Sequence, residues 1–150
     1  CRMKVSVKAD FNKLVKAFEA APEETRAAVR LQVKAAARDI QEYAREHHKF
    51  VTRGGATEKS IQMHAEGNTA TVYLGSDVAV YQHEGTPPHI IKARNKLALR
   101  FVRNGDFVFC KRVHHPGIQA DPYLFDAAEH ERARIQSRFA DAIESVLGRL

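Results

Sequence analysis

Cysteine is scarce in this sequence. Cys1 stands at the first position and Cys110 inside a strand-like run, which is neither a disulfide framework nor a zinc-ligand spacing, so both are read as free thiols. Long apolar runs are missing too: nothing approaches the ~18 residues of a membrane span. The basic, amphipathic N-terminal stretch lacks the apolar block and small-residue cleavage site of a signal peptide. These absences predict a soluble protein, intracellular when made, with no membrane partner. Gly67 and Gly75 stand alone, so there is no phosphate-cradling loop, and no serine sits in a nucleophile elbow. Internal repeats and low-complexity tracts are absent. What is present is 44% hydrophobic residues in 150, enough for the core of one domain spanning 1–150. A net charge of +6 and a pI near 9.5 favour nearness to nucleic acid or to an acidic protein surface, without bearing on the fold.

The opening RMKVSVK alternates Met3, Val5 and Val7 with polar residues, which predicts a half-buried strand. Asp10 reads as the N-cap of a short helix through Phe11, Leu14 and Phe18, ended by Pro22, which also starts the next helix. RAAVRLQVKAAARDIQEYAREHH lacks Pro and Gly and sets Val29, Val33, Ala36, Ile40, Tyr43 and His47 along one stripe, predicting a long amphipathic helix. Two glycines in VTRGGATEKS then predict a basic, flexible loop in which Arg53 and Lys59 are solvated.

Next the period changes. SIQMHAE and TATVYLG read as strands joined at Gly67-Asn68, and LALRFV and FVFCKRV as a hairpin around Asn104-Gly105. Between them, in VAVYQHEGTPPHIIKARNK, Gly85 and the Pro87-Pro88 pair interrupt any regular element and predict a long, exposed, cationic loop, whose docking part runs from Glu84 to Lys96. At the end, Asp121 reads as a cap and Pro122 as a first-turn residue. A closing helix follows, with Phe125, Ala128, Ile135, Phe139, Ala142 and Val146 on its core face and only Arg132 skipped. The expected fold class is α+β, a small antiparallel sheet packed with a long N-terminal helix and a long C-terminal helix.

Metal chemistry would draw on His83, Glu84, His89, His114 and His115. The spacing H-E-G-T-P-P-H is not a helical H-E-x-x-H, because Gly85 and two prolines prevent the one-turn geometry that brings both imidazoles to one ion. A His-Glu acid-base pair would need a convergent phosphate-binding cation, and the spacing shows none. No catalytic residue, cofactor or metal is therefore expected. Arg100-Phe101, Arg103 and Phe107 could form a nucleic-acid stacking face. The alternation of Leu97, Leu99 and Phe101 with Ala98 and Arg100 favours instead a hairpin whose apolar side faces the core.

Taken in order, Tyr81, Glu84-Gly85-Thr86, His89-Ile90-Ile91, Leu99-Arg100-Phe101, Val113-His114-His115-Pro116-Gly117 and Pro122-Tyr123-Leu124 resemble the siphovirus neck and tail-completion family, the head-tail joining proteins. Gly85 follows Glu84 directly, where that family has an aromatic between the two. The resemblance implies a structural virion protein, not an enzyme. Such a protein is assembled in the bacterial cytoplasm as a homo-oligomeric ring between a connector or head-closure protein and a tail-terminator or tail-tube protein. A ring there surrounds the DNA channel, which gives the positive charge a use in non-specific contact with packaged duplex DNA. The segment with Glu84, Gly85, Thr86, His89, Lys92, Arg94 and Lys96 is then expected at an interface or the channel. His115, Pro116, Gly117, Asp121, Pro122, Tyr123 and Leu124 are expected to form a strand-to-helix joint. The alternative is a small basic nucleic-acid-binding protein or nuclease.

Overall fold

The computed structural model describes residues 6–10 and 23–147. Its body is built on helix α1 (Glu23–Glu46), which lies against a three-stranded antiparallel sheet and against the C-terminal helix α4 (Tyr123–Leu147). The sheet has the order β1-β3-β2, from Ser6–Asp10, Thr69–Leu74 and Ile61–Glu66. β2 and β3 form the expected hairpin, with Ile61 opposite Leu74 and Glu66 opposite Thr69. The fold is α+β, as the sequence predicts. Of the N-terminal expectations, Met3, Val5 and the short helix through Phe11, Leu14, Phe18 and Pro22 fall outside the described residues. Asp10 is the last residue of β1.

The core follows from the two periods. On α1, Val29, Val33, Ala36, Ala37, Ile40 and Ala44 are buried, and on β3 the alternate residues Ala70, Val72 and Leu74 are buried against them. Alanines on α1 and Ala127 on α4 keep the facing surfaces shallow, so the helices can approach closely. The stripe predicted on α1 holds to Ile40 and then drifts. Ala44 is buried, Tyr43 is half-buried, and His47 is exposed past the helix end, stacked on Tyr43 at 3.9 Å.

The stripe on α4 differs by one position from the expected one. Leu124, Ala127, Glu131 and Phe139 are buried, with Ala128, Ile135 and Ala142 half-buried, while Phe125 is 51% exposed. The Val146 side chain lies outside those described. The reason is Glu131: a charge occupies the core-facing position that an apolar count has to pass over. It is held by Arg134 at 2.6 Å and by His130 Nδ1 at 3.2 Å. Arg134 also lies 3.3 Å from Asp39 on α1, and Arg138 donates to the same carboxylate. The ion-pair chain thus links the two long helices along the edge of their contact.

The glycine segment before β2 is not the simple loop expected. It holds a helical turn, α2 (Ala56–Lys59), to which α1 is tied by Arg45 Nε donating to the Glu58 carbonyl at 3.1 Å. Arg53 and Lys59 are exposed, as predicted. The Glu58 carboxyl is held below its usual range, chiefly by the Thr52 hydroxyl that donates to it and then by its own backbone N–H.

Candidate functional site

Two expectations about the middle of the chain are overturned together. The stretch from Asp77 to Glu84 is a helix, α3, started by Ser76, whose hydroxyl accepts from the Ala79 N–H at 3.1 Å. The predicted loop Glu84 to Lys96 contains a strand, β4 (His89–Lys92), paired antiparallel with β7 (Arg112–His115). Further out, β5 (Leu99–Arg103) pairs with β6 (Asp106–Cys110) across the Asn104-Gly105 turn. Paired prolines obscure β4 in the sequence, yet both precede it and cost its ladder no donor.

The two ladders lie end to end on the same pair of chain segments. His89 pairs with His115 and Lys92 with Arg112, and the Ala93 N–H donates to the Lys111 carbonyl at 3.0 Å. Leu99 pairs with Cys110 and Arg103 with Asp106, so between the ladders the outgoing chain carries five extra residues, 94–98. The two ladders make a two-part arm from Thr86 to Ile118, divided by the insertion, which holds Arg94, Lys96 and Leu97, and by a bend at Lys111 on the return chain. Neither ladder packs on a helix or on the central sheet beyond glancing contacts. The hairpin is therefore not covered by the core as expected, and Leu97 is 96% exposed.

The root of the arm is a backbone crossing. Thr86 and Ile118 exchange hydrogen bonds of 2.8 and 3.0 Å. Gly85 and Gly117 flank this crossing with φ of +76° and +92°. A Cβ on Gly85 would lie 2.7 Å from the Ile118 carbonyl oxygen, and one on Gly117 would lie 2.2 Å from that of Thr86. The Glu84-Gly85-Thr86 and Pro116-Gly117 elements, far apart in sequence, are the two sides of this crossing. His115 shares in the turn by accepting from the Gly117 N–H through Nδ1 at 3.1 Å. His89 and His115 lie 5.1 Å apart, centroid to centroid, beside a recess of about 390 Å³ that His114 also lines. No group of three metal-ligating side chains suited to one ion occurs among the described residues.

Behind the root, Asp121 does not act as the expected cap. Its carboxylate accepts from the Lys49 backbone N–H at 2.5 Å, and its own N–H donates to the Gln82 carbonyl at 3.0 Å, joining the segment after α1, helix α3 and the start of α4. Pro122 instead supplies the carbonyl that accepts from Asp126. Tyr123 and Leu124 are buried, and the Tyr123 hydroxyl donates to the Ala79 carbonyl at 3.0 Å. Burial pushes that hydroxyl's pKa well above its ordinary range. These residues follow β7 and run into the first turn of α4, and they fix the arm to the core.

His83 escaped notice as anything but a rejected ligand. It is 3% exposed, neither ring nitrogen has a hydrogen-bond partner, and the edges of Tyr123 and Phe125 meet it at 5.3 and 4.6 Å. Desolvation holds its pKa below the ordinary 6.5, against the pull of Glu84, Asp121 and Asp126. The unfolded chain then takes up a proton that the folded chain refuses, so stability is full above about pH 6.5 and declines as pH falls below it. A His83→Phe variant should flatten this slope between pH 7.5 and 5 in urea unfolding, because it removes both the proton linkage and two unpartnered nitrogens. A wild-type midpoint that does not fall with acid, or an unaltered slope in the variant, would contradict the assignment.

Comparison with family models, with curated proteins and with solved structures finds no match. The arm's own composition must therefore speak for it. Seven Lys and Arg lie between Thr86 and Ile118 against one carboxylate, Asp106, so the arm carries a formal +6 and the rest of the chain is neutral. The charge is also unevenly placed. The inner half has Lys92, Arg94, Lys96, Lys111 and Arg112 with no acid, and the outer half has Arg100 and Arg103 with Asp106. The outer half is apolar instead, with Val102, Phe107 and Phe109 between 61% and 67% exposed and Arg100 lying 4.8 Å over the Phe107 ring. Arg94, Lys92 and Lys96 were anticipated. Lys111 and Arg112 were not, because only the register of β4 and β7 brings them to the same place.

Proposed function

We propose that this chain is a structural protein of the bacteriophage head-tail junction, a neck or tail-completion protein that closes into a ring around the DNA channel. Its neighbours are a connector or head-closure protein and a tail-terminator or tail-tube protein, and its place is the virion. The ordered motifs from Tyr81 to Leu124 suggest the family. The observation that carries the reading is the outer half of the arm. A two-stranded ribbon is marginal alone in water, and one that exposes Leu97, Val102, Phe107 and Phe109 calls for a covering surface. A projecting apolar element that seats on a different surface of the next copy generates the head-to-tail contact from which rings close. The basic nucleic-acid-binding alternative draws support from the charge on the arm, but leaves the outer aromatics uncovered unless bases stack on them.

Exposed sites far from the core can be changed without loss of the fold. Phe107→Ser with Phe109→Ser should leave the melting temperature within a few degrees of wild type and abolish ring formation on the connector, read by light scattering and electron microscopy. Heads and tails should then fail to join. Wild-type protein that stays monomeric with the connector, or a double variant that joins heads to tails as well as the parent, would remove this reading.

A further inference from the structure

We infer that the inner half of the arm is a binding site for the phosphate backbone of double-stranded nucleic acid, gripped without regard to sequence. The argument starts from a cost. Lys92 and Arg112 are directly opposite each other in the β4-β7 ladder, and both are exposed. Like charges at such a cross-strand pair destabilise the ladder that holds them. Arg94 and Lys96 in the insertion and Lys111 next to Arg112 add three more positive charges to the same stretch. Among the described residues none of these five forms an ion pair, whereas Arg26, Arg30, Arg132, Arg134 and Arg138 of the body each hold a carboxylate.

A repulsive cluster with no internal counter-ion is relieved by an external polyanion, and its chemistry selects which one. The inner half has no Phe, Tyr or Trp on which unpaired bases could stack, the usual device for single strands. Its cations crowd the outer end of the β4-β7 ladder and the insertion beside it, on exposed ribbon rather than a pocket wall, which suits neighbouring backbone phosphates and positions without reading bases. That the duplex is DNA in a virion channel rests on the neck reading. The binding itself does not, since it is a property of the single subunit.

The test uses dilute monomeric protein and a labelled 30-base-pair duplex, with the matching single strand and a polyglutamate of equal charge as competitors. Duplexes of unrelated sequence should bind equally, at about micromolar to hundred-micromolar Kd, and affinity should fall by about a hundredfold or more between 50 and 200 mM salt. Lys92→Glu should weaken binding by about tenfold while raising the melting temperature, because it turns a like-charge pair into an opposite one. Lys92→Glu with Arg112→Glu keeps a like-charge pair, so the arm is no less stable than in wild type, and duplex binding should be lost. Retained binding in the double variant would overturn the inference, as would equal or tighter binding of the single strand or of polyglutamate. Phe107→Ser with Phe109→Ser should bind duplex normally, so a failure of ring assembly and a failure of nucleic-acid binding are read separately.

Discussion

Gly117→Ala should unfasten the arm and cost about 2 to 5 kcal/mol of stability, the sum expected from a strained positive φ and a forced backbone contact. The new methyl would sit 2.2 Å from the Thr86 carbonyl oxygen and 2.9 Å from the Pro87 carbonyl carbon, neither of which is a flexible side-chain end. Either the Thr86-Ile118 pair opens or the chain at Pro116 moves. Hydrogen exchange can tell where the loss falls. The Thr86 and Ile118 amides should exchange faster in the variant, with those of β2 and β3 much less affected. Gly105 offers the control, since it has a φ of +91° but open space around its added Cβ. Gly105→Ala should therefore cost the conformational part alone, about 1 kcal/mol. Equal melting temperatures for the two alanine variants would show that the crossing gives way without resistance.

Phe139→Ala should cost about 3 to 5 kcal/mol, because the ring is 7% exposed and packs in the cluster shared by α1, α4 and the sheet. Its value lies in comparison with Phe125→Ala. Both phenylalanines are on α4 and both fit an apolar periodicity, but Phe125 is 51% exposed and leans on His83. Its removal should cost about 1 kcal/mol or less and should let water reach His83. Chemical unfolding of the two variants at pH 7.5 checks the contrast. Similar losses would place Phe125 in the core that the apolar count first assigned it.

Much of the body was legible. The 3.6-residue stripe on α1, the longer but broken one on α4 and the two-residue alternation in β3 state their own partners, because burial of one face is what makes those elements form. The misreadings have specific causes. Phe125 was placed inside because a buried glutamate, Glu131, breaks the apolar series at its most informative position. The helix α3 was missed because Ser76 was not read as its cap, and β4 because the prolines just before it look like disruption. The site was half legible. Lys92, Arg94 and Lys96 stand at every second position and are visible as a cluster. Lys111 and Arg112 join them only through a pairing register, and no local pattern announces a register interrupted by a five-residue insertion.

The division of charge between a neutral body and an arm with +6 also makes the molecule an electric dipole. In the field of a polyanion such a molecule feels a torque, and it turns arm first before any contact is made. Orientation in the encounter would then be set by long-range forces, and added salt would slow arrival more than it hastens departure. If the proposed neck role holds, the arm determines the direction of approach as well as the point of attachment.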